Sequence, residues 1–192
     1  LVAVLAIPYA GVFAGRDHFD DPHIATPDDV ARRQLEEARR GVPDNAREIV
    51  VSHTFVAGGS GSESERSLES AGGIEAVSAL RYEGASYVAM GHLHRPQELP
   101  LSSGTLRYSG SIMPFGFDEL GVEKSVTLFD LKWWGVENLE VVPLRQPRPL
   151  KVVRGSFEEL LSAAGEDEAF VKLELTDAAP VTDAMSRLRQ RY

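Results

Sequence analysis

The chain has 192 residues, 43% hydrophobic and 26% charged, with 29 acidic and 20 basic residues giving a formal charge of −9. This is the composition of a folded protein with a real core rather than of a disordered segment. It contains no cysteine, which excludes disulfides and thiolate metal sites, suits a reducing cytoplasm, and leaves metal chemistry to histidine and carboxylate. The acidic balance argues against gripping nucleic acid by bulk charge, although bound divalent cations would reverse the local sign.

Leu1–Ala14 is an apolar opening with no initiator Met and no basic flank. It is too short for a bilayer span of about 20 residues, so Leu1–Ile7 is expected to be a buried strand and the chain to start inside a domain. Residues 8 to 25, rich in Gly, Asp and Pro, are expected to be loop. Thr26-Pro27-Asp28-Asp29 predicts a helix start, with Thr as N-cap and acids at the positive dipole end; the helix should run to about Arg40 and stop at Gly41. Glu48–His53 predicts a buried strand, Ala57–Glu65 a flexible loop, Ile74–Ala79 a short helix and Ala85–Met90 another strand. Leu106–Ser109, Ser125–Leu131 and Glu137–Val142 complete the strands, the last two forming a hairpin about Trp134-Gly135. The early alternation of strands and helices predicts an α/β fold with a mixed sheet. Arg145–Pro149 is a Pro-rich joint. Beyond it come a strand at Leu150–Val153, a helix opened by the capping box Ser156–Glu159, a strand at Phe170–Leu175 and a helix at Val181–Arg191.

Five histidines are the candidate metal ligands. His18 and His23 lie in a polar, Pro-containing stretch; Asp21-Pro22-His23 has a D-x-H spacing, but a solvated loop is the preferred reading. His53 closes one expected strand, and His92 and His94 follow another after Gly91. In extended chain, residues two apart share a face, so His92 and His94 could present two imidazoles together while Leu93 packs inward. Strand ends are where α/β sheets place ligands, so the three could converge. Singly each would be an ordinary structural histidine; the Gly-His-x-His spacing favours a site. Tyr108-Ser109-Gly110-Ser111 is either a hydrogen-bonding loop beside a phosphate or an ordinary turn, and Arg95 either a phosphate contact or a solvated arginine.

Three stretches in order, Ser52–Gly59 (SHTFVAGG), Met90–Gln97 (MGHLHRPQ) and Tyr108–Glu119 (YSGSIMPFGFDE), resemble consecutive motifs of the SbcD family, nuclease subunits within the calcineurin-like metallophosphoesterases. The resemblance implies an α/β chain: the C-terminal half of a metallophosphoesterase β-sandwich flanked by helices over residues 1–144, a linker at 145–149, and the start of a small α+β DNA-capping domain over 150–192. It implies that His53 and His92 ligate one divalent ion and His94 a second, both manganese, with Arg95, Ser109 and Ser111 near substrate. The family's bridging Asp after Gly and its Gly-Asn-His-Asp motif have no match here, so the catalytic residues are expected on a preceding segment and the chain alone is expected to be inactive. The implied function is that of a subunit of an ATP-dependent DNA exonuclease and endonuclease complex. It would cleave ends and hairpins in DNA repair and recombination. The implied partners are DNA, an SbcC-type ATPase subunit and a second copy joined through the nuclease domain, in the cytoplasm without a membrane. The alternatives are a calcineurin-like phosphoesterase for phosphoproteins, nucleotides or lipids, or a scaffold without metals.

Overall fold

The computed structural model describes residues 1–63, 65, 69–70, 73–74, 76–163 and 168–192. They form two compact units, Leu1–Ile112 with Glu123–Leu144, and Met113–Val122 with Arg145–Tyr192.

The first unit is built on a five-stranded sheet in the order β1-β2-β5-β7-β6: Val2–Ile7 (β1), Arg47–His53 (β2), Tyr87–Gly91 (β5), Thr105–Tyr108 (β7) and Gln97–Leu99 (β6). The first four are mutually parallel and β6 is antiparallel to β7, the mixed α/β sheet expected. Two-residue strands β3 (Glu69–Ser70) and β4 (Gly73–Ile74) pair separately. Strand alternation sends Leu5, Ile7, Val50, Val88, Met90 and Leu106 into one core. Helix α2 (Pro27–Arg39) covers that core with Ala31 and Leu35. It begins as the sequence dictates: Thr26 Oγ1 accepts from the Asp29 N–H (3.2 Å), Asp29 Oδ2 accepts from the Thr26 N–H (3.0 Å), and Pro27 opens the first turn.

The opposite sheet face meets the antiparallel hairpin of β8 (Ser125–Lys132) and β9 (Gly135–Pro143). Phe129 stacks on Tyr87 with ring centroids 4.2 Å apart, and Arg107 Nε donates to Thr127 Oγ1 at 3.1 Å. Val2, Val4 and Val51 on the same face remain 42%, 62% and 46% exposed.

Three expectations change. Val12–Phe19 is a helix, α1, rather than loop; it buries only Gly15 and leaves Phe13 exposed, so no apolar stripe announces it. The short helix expected at Ile74–Ala79 is not formed there: Ile74 is in β4, residue 75 lies outside the described residues, and Val77 bridges Val56. The Val77 N–H donates to Phe55 O (2.8 Å) and its carbonyl accepts from Ala57 N (2.9 Å), after which a single 3₁₀ turn spans Ala79–Tyr82. The Leu106–Ser109 strand has an unforeseen neighbour in β6, whose three residues are too few to show a period of two.

In the second unit β10 (Leu150–Gly155) and β11 (Phe170–Leu175) are parallel and connected through α3 (Phe157–Ala163). The Ser156–Glu159 capping box is formed, and Phe157, Leu160 and Leu188 make the core. The last helix, α4, is shorter than expected, Ala184–Leu188, because Asp183 takes a left-handed conformation (φ 55°) that bars an earlier start. Among the described residues no helix is long and apolar enough to cross a membrane.

Candidate metal centre

The parallel strands β1, β2, β5 and β7 all end on one edge of the sheet, and the histidines of interest lie there. His53 is the last residue of β2 and pairs in register with Gly91, the last residue of β5. An open cleft of about 670 Å³ at this edge is lined by Ala6, Val51, His53, Ala89, Gly91 and Ser109 among others. This is the crevice beyond the carboxyl ends of parallel strands where α/β folds place ligands.

His53 and His92 meet edge to face, their ring centroids 5.5 Å apart and their planes at 76°. Gly91 makes this possible. A Cβ there would lie 2.7 Å from His53 Nδ1, so a side chain at 91 would take the space of the ring. His92 itself leaves extended geometry, with φ 105°. Such a backbone is disfavoured for any residue with a Cβ and clusters at functional sites. Its consequence here is that the strand period does not carry through to His94, so the extended-chain account of His92 and His94 fails: β5 stops at Gly91. Leu93 is buried as expected.

Burial, followed by the neighbouring His53, holds the His92 imidazole below its ordinary pKa, while Glu65 pulls the other way. Neutral imidazole is the form that binds metal, so the His53–His92 pair fits a divalent first-row cation. His94 is near enough to act electrostatically on His92. Among the described residues, however, no three His, Asp or Glu side chains form a group that could hold a metal ion. The pair is therefore part of a ligand set.

Hydrogen bonds join the loops behind the histidines. The Tyr108 hydroxyl, at the end of β7, donates to Thr54 O (2.7 Å) and accepts from the Val56 N–H (2.9 Å), fixing the chain just after His53. Ser52 Oγ bonds the Tyr82 hydroxyl at 3.0 Å. The Gln97 side chain pairs with both backbone groups of Ser60, at 2.8 and 2.9 Å, so the Gly-Ser loop is anchored to the histidine loop. Glu65 accepts from the His94 N–H, and the His94 carbonyl accepts from Ser111 N (3.1 Å) and Lys124 Nζ (2.9 Å).

Residues 146–192 match the family described as the Type 5 capsule protein repressor C-terminal domain (SbcD_C). A relative from Staphylococcus epidermidis, named as the SbcD component of the SbcCD nuclease, is 29% identical over 194 residues, covering 100% of this chain and 51% of its own length. Together these matches support an SbcD-type protein. The SbcD-type chain spans about half the length of the curated relative it matches.

The remaining candidates of this SbcD-type chain lie in the same loops. Arg95 follows His94 and is half-buried; its carbonyl accepts from Gln97 Nε2 at 3.2 Å. Ser109 is exposed at the cleft wall, while Ser111 is turned to the His94 carbonyl and Lys124. His18 and His23 stand apart: His18 lies in α1 against Phe19, and the His23 N–H closes a turn on Asp21 Oδ1 at 3.0 Å. Sequence reasoning overlooked Tyr108, Glu65 and Lys124. Tyr108 read as one more strand residue, Glu65 as part of a solvated loop, and Lys124 as an isolated lysine before a strand; only its 1% exposure sets it apart.

Proposed function

We propose that this chain supplies part of the metal-dependent nuclease centre of a DNA-cleaving complex. The observation that carries the proposal is the meeting of His53 and His92 at the carboxyl ends of adjacent parallel strands, in a chain whose likeness is to a nuclease subunit. In this reading His53 and His92 hold one divalent ion and His94 helps hold a second, with manganese in both places. The ions would supply Lewis acidity and neutralise charge on phosphate during phosphodiester hydrolysis. The chain's own contribution is to hold neutral imidazoles in place, with Ser109, Ser111 and Arg95 beside the phosphate. The other ligands and the catalytic residues belong to a segment outside these 192 residues. The substrate is double-stranded DNA at ends and hairpins, cut exonucleolytically and endonucleolytically in repair and recombination. The partners are an SbcC-type ATPase subunit and a second copy of the nuclease, with cytoplasmic residence.

The test is cleavage of linear and hairpin DNA by the full-length protein with Mn²⁺. Outer-shell changes at metal sites already cost about 10–100-fold, so His92→Ala should cost more than about 100-fold. Cleavage by His92→Ala at the wild-type rate, or a wild-type protein that binds no divalent ion, would refute the proposal. Hydrolysis of phosphoproteins, nucleotides or lipids with DNA left intact would point instead to a different phosphoesterase.

A further inference from the structure

Lys124 is among the largest fully buried side chains of the chain, at 1% exposure. A lysine is rarely taken out of water, because desolvating an ammonium is costly unless its donors are used. Two of its three donors go to the His94 carbonyl and to Ser111 Oγ, both at 2.9 Å. Ser111 N also donates to the His94 carbonyl (3.1 Å). The chain can come this close because residue 110 is glycine at φ 79°, where a Cβ would lie 2.8 Å from that carbonyl. On the other side of the residue the Glu65 carboxylate takes the His94 N–H and also accepts from Ser62 N at 2.8 Å. His94 is thus gripped at both backbone groups by charged side chains from distant segments, one anion at its N–H and one cation at its C=O. Charge-assisted bonds of this kind are about twice as strong as neutral ones. No demand of the core explains them, since an apolar side chain would fill the Lys124 position without the desolvation.

We propose that Lys124, with Ser111, is the positioning residue of the histidine loop, fixing the His94 peptide so that its imidazole is set for a divalent cation. The inference rests on the metal-centre reading above. Removing the ammonium releases the carbonyl and lets the loop relax, loosening His94 while His53 and His92 keep their own anchors.

The test uses the full-length protein with Mn²⁺ alone as probe, titrated calorimetrically or by electron paramagnetic resonance below the melting temperature of every variant. Lys124→Met should weaken Mn²⁺ binding by about 10-fold or more, the effect expected of a residue that orients a ligand. In the metal-free protein it should also speed hydrogen exchange at the His94 amide, and in DNA cleavage it should lower kcat with KM little changed. Leu35→Ala, a core truncation in α2, is the stability control: it should lower Tm yet leave Mn²⁺ affinity within about twofold. Wild-type Mn²⁺ affinity in Lys124→Met, or equal weakening in Leu35→Ala, overturns the inference. A wild-type protein that binds no Mn²⁺ sinks the metal-centre reading and this inference with it; normal wild-type binding with Lys124→Met unaffected sinks this inference alone. Should Lys124→Met not fold, Ser111→Ala carries the test: a few-fold loss of affinity supports the clamp and an unchanged affinity refutes it.

Discussion

Gly91→Ala tests the packing of the histidine pair. The added Cβ would lie 2.7 Å from His53 Nδ1, and ordinary contact begins near 3.4 Å, so the imidazole must retreat by about 0.7 Å. Gly91 has no left-handed backbone angle, so the strand itself accepts alanine and the strain falls on the ring. His53 is at an exposed strand end and can swing toward solvent, which keeps the stability cost near the lower end of the ~1–3 kcal/mol typical of overpacking. The functional cost is larger. A ligand misplaced by about 1 Å in a site of fixed geometry costs on the order of 100-fold, so a loss of about 10–100-fold in Mn²⁺ affinity and cleavage rate is expected of the full-length protein. Isothermal titration with Mn²⁺, alongside thermal melting, separates the two effects. Mn²⁺ affinity equal to wild type would refute the reasoning, because it would mean that the His53 ring position set by Gly91 does not matter to the metal.

Tyr108→Phe leaves the Thr54 carbonyl and the Val56 N–H buried without their partner; at about 1–3 kcal/mol for each unsatisfied group it should destabilise by about 2–4 kcal/mol, read by urea denaturation. Asp28 accepts from Arg81 Nε and Ser78 N, both at 2.9 Å, and the Arg81 hydrogen bond holds its carboxyl below the usual carboxylate pKa. A depressed folded pKa gives stability that is present above the unfolded value of about 3.9 and is lost as pH falls through the folded pKa. Asp28→Asn should therefore lower stability by about 1 kcal/mol at pH 7, a figure discounted for an Arg81 that is 36% exposed, and should remove that part of the acid limb in pH-dependent melting. An acid limb identical to wild type would contradict it. Leu160→Ala truncates the core shared with Phe157 and Leu188, and should expose the β10 and β11 amides to faster hydrogen exchange with a loss of about 2–4 kcal/mol.

The elements with strong local signals were legible in the sequence. Thr26-Pro27 with Asp29 marked the start of α2 because a capping box is written in adjacent residues, and the β-branched runs marked β2 and β5 because a buried parallel strand needs little else. Helix α1 was not legible, since it buries little, and neither was the three-residue β6. In the candidate site, His53, Gly91 and His92 could be picked from position alone, since strand ends and a glycine neighbour carry that information. The place of His94 could not, because it depends on a positive φ at His92 that no sequence period encodes. Glu65 and Lys124 were hidden for a different reason. Their roles come from contacts 29 and 30 residues away in the chain, with a backbone group rather than with a partner side chain.

The left-handed backbone at His92 sets stability and chemistry against each other at a single position. Holding a residue with a Cβ at φ 105° costs about 1–3 kcal/mol, which glycine would largely avoid. A library screened for thermal stability alone should therefore enrich glycine at 92 and lose the imidazole. One screened for metal binding should keep histidine and gather its stabilising changes elsewhere. Which residue wins at position 92 under each regime measures directly what the chain gives up in order to carry that ring.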